Sequence, residues 1–146
     1  MFIDIKSQLD NPIVRQIMSA CVYKNSLDAA INKLVQYLNH PTWSMYGWLE
    51  NGEIIGICGF EVHQTNRVDI LHIAVSGDAR KRGIGSAMLT ALQELFCLPL
   101  KAETDDDAVE FYRKIGFETT AFQKTKGTCS FRRWVCVLDS PVHKLT

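Results

Sequence analysis

The stretch "DARKRGIGSAMLTALQELF", Asp78 to Phe96, places three cations and two glycines within six residues, Arg80 to Gly85, and then settles into helical spacing. Ile84, Ala87, Met88, Ala91, Leu92, Leu95 and Phe96 recur at i, i+3, i+4, i+7, i+8, i+11 and i+12. That spacing predicts an amphipathic helix packed on a sheet, beginning near Gly83. The first-turn N–H groups of such a helix have no intrahelical partner, and its dipole adds partial positive charge there. Gly83 and Gly85 let a ligand approach the backbone, while Arg80, Lys81 and Arg82 supply full charges. Cations at a helix N-terminus oppose the dipole, so the arrangement makes sense with an anion between them, and a pyrophosphate has the right charge and size.

Two nucleotide motifs fail on this stretch. A dinucleotide fingerprint would use "GIGSAM" with Glu103 downstream, but Met88 stands where a third Gly or Ala should pack, and "SGDARKR" separates the strand from the glycines. A GxxxxGK[ST] loop occurs nowhere in the chain. What remains is R-x-x-G-x-G, Arg80 to Gly85, after a strand that ends "HIAV".

Working outward, "RVDILHIAV" is a strand with an apolar, β-branched core, and "SMYGWLENGEIIGICGFEVH" reads as two strands around Asn51-Gly52, a pair suited to a tight hairpin. "FIDI" near the start alternates like a short strand. Asn11 to His40 reads as mostly helical, with Asn11-Pro12 as cap and first turn, and Leu27, Ala30, Ile31, Leu34, Val35 and Leu38 on one face. Downstream lie a strand at "LPLKAE", a helix at "DDDAVEFYRKIGF", and two strands around Lys126-Gly127. The expected fold is α/β, a mixed, mostly antiparallel central sheet with flanking helices in the order β-α-α-β-β-β-α-β-α-β-β. No repeat or linker interrupts it, so one domain is expected over residues 1–146.

Bulk properties narrow the function. Sixteen basic residues against sixteen acidic ones give no net charge, which argues against a nucleic-acid coat. No apolar run approaches the ~20 residues of a membrane span, and "MFIDIKSQLD" lacks a signal-peptide core, so a cytoplasmic location without membrane partners is expected. Five cysteines form no CxxC, and reduced thiols packed in the core suit them better than disulfides.

The Arg80–Gly85 segment resembles the coenzyme A binding motif of the GNAT superfamily of N-acetyltransferases, [Q/R]-x-x-G-x-[G/A] between a central strand and the next helix. "DDDAVEFYRKIGF" looks like the family's N-x-x-A-x-x-x-Y-x-x-x-G-F helix, with Ala108, Tyr112, Gly116 and Phe117 in place. The resemblance implies an acetyl-CoA-dependent enzyme that acetylates a primary amine directly, with no metal. A non-catalytic acyl-CoA-binding sensor or interaction module is the alternative. By similarity, the main chain of Ile73, Ala74 and Val75 would pair with the pantetheine arm. The N–H groups from Lys81 to Ser86, including Gly83, Ile84 and Gly85, would hold the pyrophosphate, with Arg80, Lys81 and Arg82 adding charge. Tyr112 matches the tyrosine near the cofactor sulfur, and Asp105 falls where the family often has Asn. An ionised Asp cannot donate a hydrogen bond, so any amide-like contact is lost there. The family often forms homodimers, which makes a second copy an expected partner beside the amine acceptor.

Acetyl transfer needs a neutral amine, yet a lysine-type amine has a pKa of about 10.4, and the departing thiol one of about 8.5. Tyr112 is the candidate acid for that thiolate. Asp69 and Glu103 are the favoured candidates for the base, His72 is a third because its ordinary pKa is nearest neutrality, and a chain of waters is the alternative to all three. The run Asp105-Asp106-Asp107 reads as a helix cap. Trp43, Tyr46 and Trp48 are either core or an acceptor pocket, and Arg132-Arg133 beside Trp134 reads as a sheet edge or rim.

Overall fold

A computed structural model describes residues 1–140, the side chain of Tyr23 aside. Its elements are β1 (Phe2–Asp4), α1 (Pro12–Met18), α2 (Leu27–Asn39), β2 (Trp43–Glu50), β3 (Glu53–His63), β4 (Arg67–Val75), α3 (Ile84–Phe96), β5 (Leu100–Thr104), α4 (Val109–Ile115), β6 (Glu118–Lys126) and β7 (Cys129–Leu138). This is the expected order. The seven strands form one sheet ordered β1-β2-β3-β4-β5-β7-β6. Every pairing is antiparallel except β4 with β5.

Local chemistry accounts for the ends of the elements. The Asn11 side chain accepts the Ile13 N–H at 2.9 Å, and Ser26 Oγ accepts that of Ala29 at 3.2 Å, so both N-terminal helices carry side-chain caps. Asn51 (φ 53°) and Gly52 (φ 79°) both sit in the left-handed region, as a two-residue hairpin of the right twist requires. Among the described residues, no helix is long and apolar enough to cross a membrane.

Helices cover both faces of the sheet. On one, α3 and α4 pack over Cys58, Phe60, Val68, Ile70 and Ala102; on the other, α1 and α2 pack over Met45 and Ile57. The α2 face departs from expectation. Ala30, Leu34 and Tyr37 face the sheet, while Leu27, Val35 and Leu38 are about half exposed or more. The apolar arc of α2 is wider than its contact, and the sheet takes the side that contains Tyr37, because Gly59 leaves a socket for that ring. In α3 likewise Leu89 joins the core while Leu95 is exposed. Cys58 and Cys136 are buried as expected, but Cys97 and Cys129 are exposed; all five thiols are free.

The feature that makes a site is the parting of β4 from β5. They pair only over Val68–Ile70 and Leu100–Ala102. On its other side β4 sets Ile70 opposite Phe60 but His72 opposite Gly59, leaving Leu71 as an extra residue. Such a bulge bends its strand. Beyond it, β4 runs on to Val75 with one edge unpaired by β5.

Candidate active site

A cleft of about 550 Å³ fills the gap, lined by Ile70 to Val75 of β4, Glu103 to Asp105, Tyr112 from α4, Cys21, and Arg133 of β7. A second hollow of about 370 Å³ adjoins it at the start of α3, lined by Arg80, Lys81, Gly83 to Ser86, Phe111 and Lys114. Val75, Gly85 and Phe111 line both hollows, which makes them one continuous trough.

The loop end of the trough is shaped by backbone. Lys81 (φ 64°) and Gly83 (φ 77°) are left-handed, an alternation that turns successive N–H groups towards one point and makes an anion nest beside the free first turn of α3. A Cβ on Gly85 would lie 2.9 Å from Phe111 Cε1, so glycine is what lets α4 close over the loop. Arg80 lines this hollow, with Nε donating to the Val75 carbonyl at 3.3 Å. Arg82 behaves differently from the sequence expectation. Its guanidinium pairs with Glu50 at 2.7 Å and does not line the hollow.

Along β4, the Ile73 and Val75 carbonyls point away from β3: Cys21 Sγ donates to the first at 3.3 Å and Arg80 to the second. Burial pushes the Cys21 thiol up to about 11, so it stays a protonated donor. A ligand carrying amides can take over this edge in the manner of an added strand.

Tyr112 sits on the wall in an aromatic clamp, edge-on to Phe111 and Phe117 with ring centroids 5.0 and 5.2 Å away. Burial raises its pKa above the usual phenol range. Among the described residues, none hydrogen-bonds its hydroxyl, which leaves that donor for a ligand in the cleft.

The three base candidates part company. Glu103 lines the cleft, between Lys124 at 3.0 Å and Arg133 at 3.2 Å. Partial burial pushes its carboxyl up, but those two cations outweigh it and hold the pKa below the usual value. His72 also lines the cleft, with Nδ1 2.7 Å from Tyr37 Oη. Burial first, and Lys33 second, lower its pKa to about 4, so the ring is neutral at physiological pH. Asp69 lies outside the residues lining the cleft. It pairs with Arg67 at 2.8 Å on the α2 face, where its carboxylate, Glu61 and His63 come within 4.8 Å of one another.

Of the acidic run, only Asp105 caps: its Oδ1 accepts the Ala108 N–H at 2.9 Å, and α4 proper starts at Val109. Asp106 instead holds Arg132 at 2.8 Å and Trp134 Nε1 at 2.7 Å. Arg132, Arg133 and Trp134 lie on β7, an interior strand between β5 and β6, so the sheet edge is β6, while Arg133 lies at the rim of the cleft. Trp43 packs on Tyr37 and His40, whereas Tyr46 and Trp48 pack with Phe2 on the opposite face; none of the three lines the cleft. Cys21, Phe111, Lys114 and Arg133 were absent from the sequence expectation as site residues. Phe111 and Lys114 had a usable signal, since they flank Tyr112 on one helix.

Residues 41–119 match the sequence family described as the acetyltransferase (GNAT) domain, which takes in the trough from the β4 edge through the loop to Tyr112. Over 61 residues the chain is 34% identical to an uncharacterized N-acetyltransferase of the lysA 3' region of Bacillus methanolicus, covering 42% of this chain and 51% of that protein. The chain thus spans about half the length of that curated relative. Among solved structures, a GNAT-family acetyltransferase from Desulfovibrio desulfuricans superposes with a TM-score of 0.77 at 20% identity, covering 95% of this chain and 98% of the other. One from Elizabethkingia anophelis with acetyl-CoA bound gives 0.70 at 17%, covering 95% and 97%. The ribosomal-protein-S18-alanine N-acetyltransferase of Escherichia coli gives 0.73 at 16%, covering 96% and 93%. At these identities the likeness is one of fold. The family match over more than half the chain, on a fold with parted β4 and β5 strands and a glycine-shaped anion loop, places the protein in the GNAT acetyltransferase family.

Proposed function

We propose that the chain is an acetyl-CoA-dependent N-acetyltransferase that moves the acetyl group directly to a primary amine. The observation that carries this is the continuity of the trough: an anion nest, an unpaired strand edge and a free tyrosine hydroxyl follow one another in the order a pyrophosphate, an amide-bearing arm and a thioester would need. The nest from Lys81 to Ser86, with Arg80 and Lys114, would hold the pyrophosphate, and Ile73 to Val75 the arm.

When bound, acetyl-CoA supplies an activated acetyl group, whose C–S bond breaks as the C–N bond to the amine forms. One proton must leave the amine and one must reach the sulfur. Tyr112 hydrogen-bonds the sulfur, and the proton that neutralises the thiolate is returned by water, which takes up the one the amine sheds. With its pKa raised Tyr112 remains protonated throughout, and its O–H acts as a hydrogen-bond donor to the developing thiolate, because full transfer to a group of pKa about 8.5 runs uphill. The first proton finds weak acceptors on the wall: Glu103 is clamped by two cations and His72 is desolvated. The amine must therefore arrive neutral, or shed its proton to water along that wall. As an expected result, kcat/KM climbs about tenfold per pH unit up to the acceptor's own pKa. A plateau near pH 6 would instead reveal an enzyme base of ordinary strength.

The direct test is calorimetric titration with acetyl-CoA, with NADH and ATP as controls, followed by turnover on an amine panel. Arg80→Ala should weaken acetyl-CoA about tenfold. Arg82→Ala should cost threefold or less on the same scale, because Glu50 already holds that guanidinium. No selective acetyl-CoA binding would remove the reading. Saturable binding without turnover on any amine would leave a binding module.

A further inference from the structure

The acceptor side of the cleft has a charge arrangement that the transfer chemistry does not use. Glu103 and Val135 are opposed across β5 and β7, so they share a face, and Arg133 lies two residues along on that same face. α1 and α2 pack on β2, β3 and β4 on this side. Further out, Phe131 and Val137, on the same face of β7, are exposed. The cleft thus opens to solvent here, on the side of the sheet opposite Tyr112. Its mouth is framed by Ala20 and Cys21, His72, Glu103 and Arg133.

At this mouth one carboxylate sits between two cations, since Glu103 Oε1 takes both Lys124 and Arg133. The other carboxylates nearby have partners of their own, since Asp105 caps α4, Asp106 holds Arg132 and Asp69 holds Arg67, while Lys101, on the same face of β5, does not line the cleft. Arg133 is the less exposed of the two cations, at 27% against 52% for Lys124, and of the pair only Arg133 lines the cleft. Arg133 can therefore turn to an incoming anion while Lys124 keeps Glu103 paired, so neither protein charge is stranded. A guanidinium also matches a carboxylate fork to fork, which an ammonium cannot do.

We propose that the acceptor is a small amine bearing a carboxylate, of amino-acid type, held through that carboxylate by Arg133 with its amino group presented to Glu103 and the gap between β4 and β5. The proposal rests on the acetyl-transfer reading above. The 550 Å³ of the cleft must also take part of the co-substrate, so what enters it is of amino-acid size, with amine and carboxylate close together.

The experiment measures transfer from acetyl-CoA to the protein amino acids, each beside its own amide and its decarboxylated amine, with O-phosphoethanolamine as a phosphate-bearing arm. Acetyl-CoA affinity is titrated in parallel. With each rate referred to the neutral amine, at least one amino acid should exceed its amide in kcat/KM by about tenfold or more, the range of a charge-assisted hydrogen bond. Arg133→Gln should erase that preference with acetyl-CoA affinity unchanged, and Arg133→Lys should restore part of it. Equal rates for acids and amides, a preference that survives Arg133→Gln, faster use of the phosphate compound, or acetyl-CoA binding without transfer to any of the panel would each overturn the proposal. Absence of acetyl-CoA binding would instead overturn the reading beneath it.

Discussion

Tyr112→Phe lowers kcat by about a hundredfold, the low end of what a positioned proton donor contributes, and leaves acetyl-CoA affinity and folding unchanged. The change removes one oxygen from a ring that Phe111 and Phe117 hold edge-on, so the packing survives. No hydrogen bond within the described residues is lost either, because the hydroxyl has no protein partner to strand. That separation is what makes the substitution informative, since most buried tyrosines also anchor structure through the hydroxyl. The pH profile adds a second check. Burial raises the Tyr112 pKa, so the donor form persists at every assay pH, and the wild-type profile should show no alkaline limb in the ordinary phenol range near 10. An unchanged kcat with intact acetyl-CoA binding would leave Tyr112 as cleft wall alone and move the donor to water.

Whether such a residue could be found in sequence depended on how local its signal was. The Arg80–Gly85 loop and the α4 helix carry their geometry within a few residues, and both lie where the spacing put them. The element order was legible for the same reason, because caps, hairpin turns and periodicity are short-range. The Arg82 pairing is not legible locally, because its partner, Glu50, lies 32 residues earlier on β2 and reaches it only through the fold. For Arg133 the choice between sheet edge and rim lies beyond the local sequence, because strand order, with β7 slipped between β5 and β6, is set by pairing over long separations. Asp69 illustrates a subtler limit. Its place on β4 was right, but the bulge at Leu71 comes after it, so Asp69 remains in the paired part of the strand among Glu61, His63 and Arg67. A bulge of one residue leaves no mark in "RVDILHIAV".

Gly59→Ala destabilises the fold by about 3 kcal/mol or more, the upper range for overpacking a filled core. An added Cβ would lie 1.8 Å from Tyr37 Oη and 2.5 Å from Cζ, far inside contact distance. Tyr37 has no room to retreat. It is fully buried, edge-on to Trp43 at 5.1 Å, and bonded through Oη to His72. Together with Ala30 and Leu34 it is the sheet-facing surface of α2, so pushing the ring out lifts the helix. For a chain of this size the cost corresponds to roughly 10 °C in melting temperature, measurable by thermal or denaturant unfolding. A double-mutant cycle isolates the cause. Tyr37→Ala is itself costly, but adding Gly59→Ala to it should cost little, because the clashing ring is gone; that non-additivity is the signature of one shared contact. Equal stability of Gly59→Ala and wild type would mean that the ring finds another seat. The cost also reaches the cleft, because Gly59 lies directly opposite His72 in the β3–β4 register, at the bulge. Glycine here lets a tyrosine from α2 meet a histidine of β4 across the backbone of β3, and that contact fixes one wall of the cleft where β4 turns away from β5.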